Sequence, residues 1–391
     1  MRLTGATSER SADVVVVGGG CVGLAVAWRA AQRGLRVEVV DPEPGGGRGA
    51  WRVAAGMLAP VTEVHYGEEP LLRLNLDSAA RYPAFVAELE ELTGVGAGYR
   101  ACGTLAVAAD NDDLAALLRL LEFQLRLGLE AERMTSRQCR RREPALAPSV
   151  RGGVLVAGDH QVDPRALGAA LAEACRSAGV TITPGRVGAF DGPAGDPGPA
   201  RVDAVVLEGG DRVACGQLVV AAGAWSSALP LPAAVPVRPV KGQILRLSGP
   251  ADRPVLSGTV RAIVEGVPVY LVPRATGEVV VGATAEEKGF DPALTAGAVF
   301  DLLRAAVALV PEVAELELRE ASVSFRPATP DNAPLIGPAE GTVNVVLATG
   351  HHRNGILLTP VTADSVAAHL AGAGLPEVAA PFSPARFRPA A

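Results

Sequence analysis

The sequence predicts an α/β protein in which a domain with a parallel sheet is interrupted by an inserted α+β domain whose sheet is mainly antiparallel. Residues 13–41 read as strand, glycine turn, helix and strand, the unit from which parallel sheets are built. From residue 235 the pattern changes to a meander of short strands, closed by a helix near Thr295, and a strand and helix return after residue 342. The predicted boundaries are 1–228 and 322–391 for the two parts of the first domain and 229–321 for the inserted domain.

The first unit is typical of a Rossmann-like dinucleotide-binding domain. A β-branched strand at 14–17 is followed by the G-x-G-x-x-G spacing at 18–23 and by an alanine-rich helix. We expect Gly18 to permit the tight turn, Gly20 to let a pyrophosphate approach the backbone and Gly23 to let the helix pack on the strand. The N–H groups and dipole at the start of the helix then stabilise phosphate. A purely structural glycine turn is the alternative.

Asp41 ends the second strand about twenty residues after the turn, where an acid accepts hydrogen bonds from ribose hydroxyls and repels a 2′-phosphate. This unit alone does not choose between FAD and NAD. The return of the chain favours FAD, because the isoalloxazine must be held between distant segments. A helix predicted to begin near Gly355 can also stabilise negative charge on the reduced flavin.

The composition excludes several functional classes. A chain of 391 residues with 49% hydrophobic and 20% charged residues is globular and long enough for two joined domains. The net charge is -6 and the sequence has no block of basic residues, so its charge does not favour binding to nucleic acid or to an anionic membrane. The five cysteines are dispersed, residues 1–12 lack an apolar signal-peptide core, and the longest apolar run is too short to span a bilayer. We therefore expect a reduced, cytoplasmic protein.

Arg326 and Tyr270 are the candidate catalytic residues. Arg326 lies where a predicted strand leads from the inserted domain back to the first one, and its guanidinium offers a bidentate fork for a carboxylate. The alternative is a structural ion pair with Glu320 or Asp331. Tyr270 lies in a predicted strand, where its hydroxyl either enters a pocket or belongs to an ordinary half-buried tyrosine.

Neither a metal site nor a nucleophile site is predicted. His351 and His352 are adjacent, so they point to different sides of the backbone and cannot form a helical ligand pair. The segment GAWS at 223–226 lacks the glycine and serine spacing of a nucleophile elbow.

Five segments in chain order, between about residues 13 and 370, carry a family pattern: VVVGGGCVG (15–23), AAGMLAP (54–60), YLVPR (270–274), FRPATPD (325–331) and GHHRNGILL (350–358). Together they resemble the D-amino-acid-oxidase-like family of FAD-dependent oxidoreductases, in the glycine-oxidase branch linked to thiamine thiazole synthesis. The first segment is shared by most FAD enzymes, whereas the second and fifth are more specific to this branch.

The resemblance implies roles for residues of the site. Arg326 would bind the substrate carboxylate with assistance from Tyr270. Further positions implied around the FAD are Ala55, Gly56, Met57, Val187 at the adenine end, Ala222, Gly223, Trp225, Arg353, Asn354, Gly355, Ile356 and Leu357. Relatives with covalent flavin use a cysteine late in the chain, and no cysteine follows Cys215, so we expect non-covalent FAD.

Two positions depart from the family pattern. Asp41 stands where many relatives have glutamate, and its shorter reach can admit a water at the ribose. Ala285 is small where some relatives cover the substrate with a bulkier side chain, which leaves strict selection for glycine open.

The activity implied is FAD-dependent oxidation of glycine or another small amino acid to its imine, with O₂ reduced to hydrogen peroxide. The imine would hydrolyse to glyoxylate and ammonia or be handed to the thiazole synthesis machinery. One alternative is a dehydrogenase for sarcosine, proline or D-amino acids that uses another electron acceptor. Another is a flavin-binding or RNA-modification protein that oxidises no amino acid. The sequence is compatible with a homo-oligomer and predicts no nucleic-acid or membrane partner.

Overall fold

The structure, a computed structural model, describes residues 9–193 and 198–387. Residues 1–8 and 388–391 lie outside the described part, and so does most of the N-terminal stretch considered for a signal peptide. The same holds for residues 194–197 in the glycine- and proline-rich tip of a predicted hairpin.

Strands and helices alternate along the first half of the described chain, and strands dominate the second half. The strands are β1 Glu9–Val17, β2 Val37–Asp41, β3 Met57–Leu58, β4 Thr104–Ala108, β5 Glu132–Thr135, β6 Gly152–Val156, β7 His160–Gln161, β8 Thr181–Pro184, β9 Val187–Asp191, β10 Ala204–Leu207, β11 Arg212–Val220, β12 Arg238–Ser248, β13 Thr259–Val264, β14 Val267–Pro273, β15 Glu278–Gly282, β16 Glu317–Ala328, β17 Leu335–Pro338 and β18 Val345–Thr349. The α-helices are α1 Cys21–Ala31, α2 Ala50–Val53, α3 Glu69–Thr93, α4 Asn111–Arg126, α5 Ser136–Arg142, α6 Pro164–Ser177, α7 Ala296–Leu309 and α8 Thr359–Leu370. Short 3₁₀ helices lie at Gly223–Ala228, Pro311–Glu315, His352–Asn354, Ala380–Phe382 and Pro384–Phe387.

The first sheet has the order β17-β18-β11-β1-β2-β8, with β9 and β10 attached beside β11. Its strands from β18 to β8 run parallel, and α1 connects β1 to β2. The valine run of β1 is buried on both faces of this sheet, as parallel strands require. Val14 and Val16 pack against helices, while Val15 and Val17 pack into a second apolar cluster on the opposite face.

The second sheet has the order β16-β12-β15-β14-β13-β4-β6-β5 and is antiparallel except where β13 pairs with β4. The predicted boundary at residue 229 leaves out three of its strands, because β4, β5 and β6 come from residues 104–156. The long strand β16 also continues past the predicted boundary at 321. Pairing between distant segments decides which sheet a strand joins, and the local pattern at 104–108 holds no information about its partner at 259–263.

The returning segment differs in detail from the prediction. The last α-helix was expected to begin at residue 356 beside Gly355, whereas α8 begins at Thr359. Pro360 lies in its first turn, where a missing N–H costs no hydrogen bond. The residues before it form a 3₁₀ turn at His352–Asn354. The helix dipole therefore starts one turn later than predicted.

Two other helices have distinctive sequence features. Pro83 lies inside α3, which continues past it to Thr93. The N-cap of α4 is Asp110, whose side chain accepts a hydrogen bond from the N–H of Asp113. Every helix in the described ranges is too short or too polar to cross a membrane.

Candidate active site

A cavity of about 800 Å³ is walled by both sheets. One end is formed by the loops that follow the C-terminal ends of β1, β2 and β11, which is where open parallel sheets bind ligands. The other end is formed by residues of β12, β14 and β16. We call these the nucleotide end and the substrate end.

The glycine turn at the nucleotide end is built as the spacing predicts. Gly18 has φ +111°, and a side chain there would overlap the carbonyl of Ala221. A side chain at Gly23 would overlap the carbonyl of Gly18, so α1 packs directly on the turn. Gly20 is the N-cap of α1, and no side chain caps this helix. The first N–H groups of α1 are therefore available to an anion in the cavity.

Asp41 is fixed beside the turn by two backbone N–H groups. Its Oδ2 accepts a 2.7 Å hydrogen bond from Gly19, and its Oδ1 accepts a 2.8 Å hydrogen bond from Glu43. Each carboxylate oxygen has a second lone pair, so both can still accept a hydroxyl. Asp41 lines the cavity in this orientation.

Trp51 also lines the nucleotide end, and it lies outside the predicted set. Glycines surround its indole ring, since a side chain at either Gly46 or Gly168 would overlap the ring. The signal in the sequence was the glycine-rich loop at 43–52, in which Trp51 is the one aromatic residue.

The small apolar segment at 54–57 forms a flat wall in the middle of the cavity. Ala55, Gly56 and Met57 all line it. Gly56 has φ +76°, and a side chain there would overlap the carbonyl of Val162. Arg274, which is buried, donates a 2.5 Å hydrogen bond to the carbonyl of Ala55 from behind this wall. Arg274 is the last residue of the YLVPR segment, and the sequence predicts no role for it.

Most of the remaining predicted residues also line the cavity, namely Val187, Ala222, Gly223, Trp225, Arg353, Gly355 and Ile356. Trp225 stacks on Phe290 with ring centroids 5.6 Å apart. Three predicted residues do not line it: Gly23, Asn354 and Leu357. Gly23 is needed for packing, and the side chains of Asn354 and Leu357 are buried. The 3₁₀ turn before α8 directs them into the interior.

At the substrate end, Arg326 projects from β16 into the cavity. Its Nη1 donates a 2.9 Å hydrogen bond to the carbonyl of Thr284. The two acids considered as structural partners are paired elsewhere: Glu320 with Arg165 at 2.7 Å and Asp331 with Arg386 at 2.8 Å. Within the described residues, no carboxylate lies within 4 Å of the Arg326 guanidinium.

Tyr270 projects from β14 beside Arg326 and lines the same end. Burial raises the pKa of Tyr270 above its usual value, and the neighbouring Arg326 offsets part of the rise. Its hydroxyl therefore stays protonated and can donate a hydrogen bond at neutral pH. Glycines leave room for both groups, because a Cβ at Gly242 would lie 2.6 Å from Arg326 Nη1 and one at Gly282 would lie 2.5 Å from the Tyr270 hydroxyl.

The two adjacent histidines are uncharged. Burial lowers the pKa of His351 to about 3, and its Nε2 lies 3.0 Å from the Thr362 hydroxyl. Burial, with repulsion from Arg326, lowers the pKa of His352 to about 4. His352 lines the cavity, so it adds no charge to the substrate end at neutral pH. No group of three metal-ligating side chains occurs in the part of the chain that the structure describes.

Comparison with known proteins identifies the family. Residues 13–369 match the DAO family, described as FAD dependent oxidoreductase. The chain belongs to this family. It is 34% identical to glycine oxidase of Geobacillus kaustophilus (strain HTA426) over 356 residues, covering 90% of both proteins. It is also 34% identical over 366 residues to the bifunctional protein ThiO/ThiG of Trichormus variabilis, covering 91% of the present chain and 52% of that protein. The present chain therefore spans about half the length of this bifunctional relative.

The crystal structure of glycine oxidase from Geobacillus kaustophilus superposes on this DAO-family protein with a TM-score of 0.87 at 33% identity. The match covers 97% of the present chain and 100% of the crystallised one. The predicted family, the α/β fold class and the dependence on FAD are confirmed by these comparisons. The attachment of the flavin and the roles of individual residues stay predictions.

The cavity of this DAO-family protein fits FAD at each of its parts. The uncapped N-terminus of α1 suits the pyrophosphate, and Asp41 suits a ribose. The wall at 54–57, in which Gly56 leaves no room for a side chain, suits a planar ring. Beyond the ring position lies a pocket with Arg326, Tyr270 and the small Ala285.

Proposed function

We propose that the protein oxidises glycine or a similarly small amino acid to its imine, using FAD and O₂. The observation that carries this proposal is Arg326, a guanidinium on the cavity wall that has no carboxylate within 4 Å among the described residues. Its chemistry suits the carboxylate of an amino acid, because a partly buried charge is stable when it is paired. Tyr270 supplies a second donor for the same anion.

Binding and orientation are the contribution of the protein to this reaction. When bound, FAD supplies the two-electron acceptor for a hydride from the α-carbon. Arg326 and Tyr270 fix the carboxylate, and Thr284 fixes one arm of the guanidinium, so the α-carbon is directed toward the wall at 54–57. No protein base needs to act on carbon if the amine binds as a neutral group, and catalysis then depends on orientation and electrostatics.

The overall balance consumes glycine, O₂ and water and produces glyoxylate, ammonia and hydrogen peroxide. The name of the bifunctional relative supports a second fate for the imine, in which it is passed to thiazole synthesis before it hydrolyses. Such a transfer would need a partner protein that carries out the thiazole synthesis step. We propose the cytoplasm as the compartment, which the five free cysteines support.

The test is anaerobic mixing of the purified holoenzyme with glycine, sarcosine and D-alanine while the flavin absorbance is followed. Bleaching by glycine or sarcosine, followed by recovery and stoichiometric peroxide when O₂ is admitted, would support an oxidase. Bleaching without peroxide would favour the alternative dehydrogenase that uses another acceptor. If none of these amino acids, nor proline, bleaches the flavin, the proposal fails.

A further inference from the structure

Four charged side chains form a cluster beside the substrate end: Glu63, Glu68, Arg261 and Arg353. The carboxylate of Glu63 lies 3.3 Å from Arg261 Nη1 and 3.9 Å from Arg353 Nε. Arg353 Nη2 lies 3.4 Å from Glu68. The formal charge of the cluster is therefore zero. Glu63 and Arg353 are on the cavity wall, whereas Glu68 and Arg261 are not.

The loop that carries Glu63 is held without the use of the Glu63 carboxylate. Four side chains are hydrogen-bonded to the backbone of residues 61–63. The carboxylate of Asp159 accepts from N–H groups, and the side chains of Gln124, Arg261 and Arg353 donate to carbonyls. The strongest anchor is Asp159, which is fully buried and accepts a 2.7 Å bond from the N–H of Thr62. These hydrogen bonds fix the backbone of the loop and so hold the Glu63 side chain at the cavity wall.

The electrostatic reach of Glu63 includes the proposed substrate-binding groups. Its charge, like that of Arg326, acts on the ionisation of Tyr270. A substrate held by Arg326 and Tyr270 therefore lies in the field of Glu63 as well. The guanidinium of Arg326 has no carboxylate within 4 Å among the described residues, so it can pair with one carboxylate of a substrate. The charges of Arg261 and Arg353 are instead balanced by the two glutamates.

We infer that Glu63 restricts the substrate to amino acids that carry a single anionic group. This inference rests on the proposed function, in which Arg326 takes the substrate carboxylate. A second carboxylate that reached this cluster would find both of its arginines already paired and would be repelled by Glu63. Without the charge of Glu63, the cluster would have a net charge of +1 at the cavity wall and would attract that second carboxylate.

Two thioethers test this inference without a reactive amine. Methylthioacetate has the shape of sarcosine with sulfur in place of nitrogen and carries one carboxylate. Thiodiacetate has the shape of iminodiacetate with the same replacement and carries two. Their dissociation constants are measured on the holoenzyme from the change in flavin absorbance. The quantity of interest is the ratio of the two constants, because a general weakening of the site affects both compounds.

In Glu63→Gln we expect the dissociation constant of thiodiacetate to fall by about tenfold or more relative to that of methylthioacetate. This is the size of effect that a unit charge produces within a partly buried pocket. Glu63→Asp, which keeps the charge, should retain the wild-type preference. Glu320→Gln is the matched control, because it also removes a carboxylate charge from an ion pair with an arginine, Arg165, and neither of these two residues lies on the cavity wall. Its ratio should change by less than threefold.

An unchanged ratio in Glu63→Gln, with normal flavin content, would overturn the inference, and so would an equal shift in Glu320→Gln. Failure of the proposed function is distinguishable from both. If the wild-type holoenzyme binds neither thioether and no amino acid bleaches the flavin, both proposals are wrong. If Arg326→Ala abolishes binding of methylthioacetate while Glu63→Gln leaves the ratio unchanged, only the role of Glu63 is wrong.

Discussion

The guanidinium of Arg274 and the carbonyl of Ala55 are joined by a 2.5 Å hydrogen bond across the wall that faces the flavin position. The same guanidinium donates to the Gln161 side chain at 2.7 Å and to the carbonyl of Val162 at 3.3 Å. Burial lowers the pKa of Arg274 to about 10, which leaves it charged at neutral pH. A single buried cation thus ties the second sheet to the segment at 54–57 that the ring of FAD would contact.

Arg274→Met should weaken FAD binding and lower the free energy of unfolding. The variant leaves the Ala55 carbonyl and the Gln161 oxygen without their donor, and a hydrogen bond to a charged group contributes about 1.5 to 3 kcal/mol. We expect the FAD dissociation constant of the apoprotein to rise by roughly tenfold to a hundredfold. Titration of the apoprotein with FAD and urea unfolding measure the two effects.

Arg100→Met is the control for this experiment. The Arg100 guanidinium donates to the carbonyls of Pro273 and Ser257, so it lies near Arg274, but no hydrogen bond joins it to the segment at 54–57. It should change the FAD dissociation constant by less than threefold. Equal FAD affinity in Arg274→Met and wild type would show that the wall does not depend on this guanidinium.

Gly20→Val and Gly23→Ala should separate cofactor binding from folding. The backbone of Gly20 has φ -75°, which any residue adopts, but a Cβ there would lie 3.3 Å from Trp51 Cδ1 on the cavity wall, and a branched side chain would fill space expected for the pyrophosphate. Gly20→Val should therefore fold and lack flavin. Gly23→Ala should instead destabilise the apoprotein, because its Cβ would overlap the Gly18 carbonyl. Flavin absorbance per protein and the apoprotein melting temperature distinguish these results, and normal flavin content in Gly20→Val would refute the assignment of the turn.

The unit β1-α1-β2 could be predicted from the sequence because each of its signals is local. The valine run, the glycine spacing and Asp41 are all contained within residues 13–41, and the structure has each in its expected place. Strand β4 could not be assigned to the second sheet in this way. Its partner β13 lies more than a hundred residues away, and the parallel register between them is set by tertiary packing.

Candidate site residues could be predicted from the sequence where the residue type itself suggests a role. They were missed where the role depends on neighbouring residues from distant parts of the chain. Arg326 was a candidate because of its place between the two domains and because of the resemblance to the family, and a structural ion pair was the alternative. Its structural alternatives, Glu320 and Asp331, could be set aside only when their own partners were known. Glu63 carries no signal in the sequence, since its place on the cavity wall depends on Asp159 from a distant part of the chain.

The FAD should be released in full by acid or heat denaturation. Attachment through a thioether needs a reactive cysteine, and among the described residues the cysteine on the cavity wall is Cys21 at the nucleotide end. Burial raises the pKa of Cys21 well above its usual value, so the thiol stays protonated and unreactive. After precipitation with trichloroacetic acid, the yellow colour should be in the supernatant. A yellow pellet would contradict the expectation of non-covalent FAD.

Asp159 should make stability fall as pH rises from about 4 to about 6. Burial raises the pKa of Asp159 to about 6, against the opposing effect of its hydrogen bonds from Thr62 and Val61. The folded protein therefore holds a proton that the unfolded chain releases in this window, and a state that binds more protons is favoured at the lower pH. Relative to Asp159→Asn, wild type should lose about 2 to 3 kcal/mol of unfolding free energy between pH 4 and pH 7.

Urea unfolding of wild type and Asp159→Asn at several pH values measures this difference, with flavin removed so that cofactor binding does not contribute. The exposed Asp252→Asn is the control and should show no comparable change between the two pH limits. A constant difference between wild type and Asp159→Asn from pH 4 to pH 7 would mean that Asp159 is ionised throughout.

Arg326→Ala should reduce kcat/KM for glycine by roughly thirtyfold to several thousandfold, because losing the partner of a buried carboxylate costs about 2 to 5 kcal/mol. Arg326→Lys should recover only part of this loss, since an ammonium keeps the charge but not the planar fork. Flavin content should stay normal in both. Arg165→Ala removes a guanidinium that pairs with Glu320 on the same strand but lies off the cavity wall, so its kcat/KM should stay within threefold of wild type. Near wild-type efficiency in Arg326→Ala, or loss of its FAD, would show that Arg326 does not bind the substrate carboxylate.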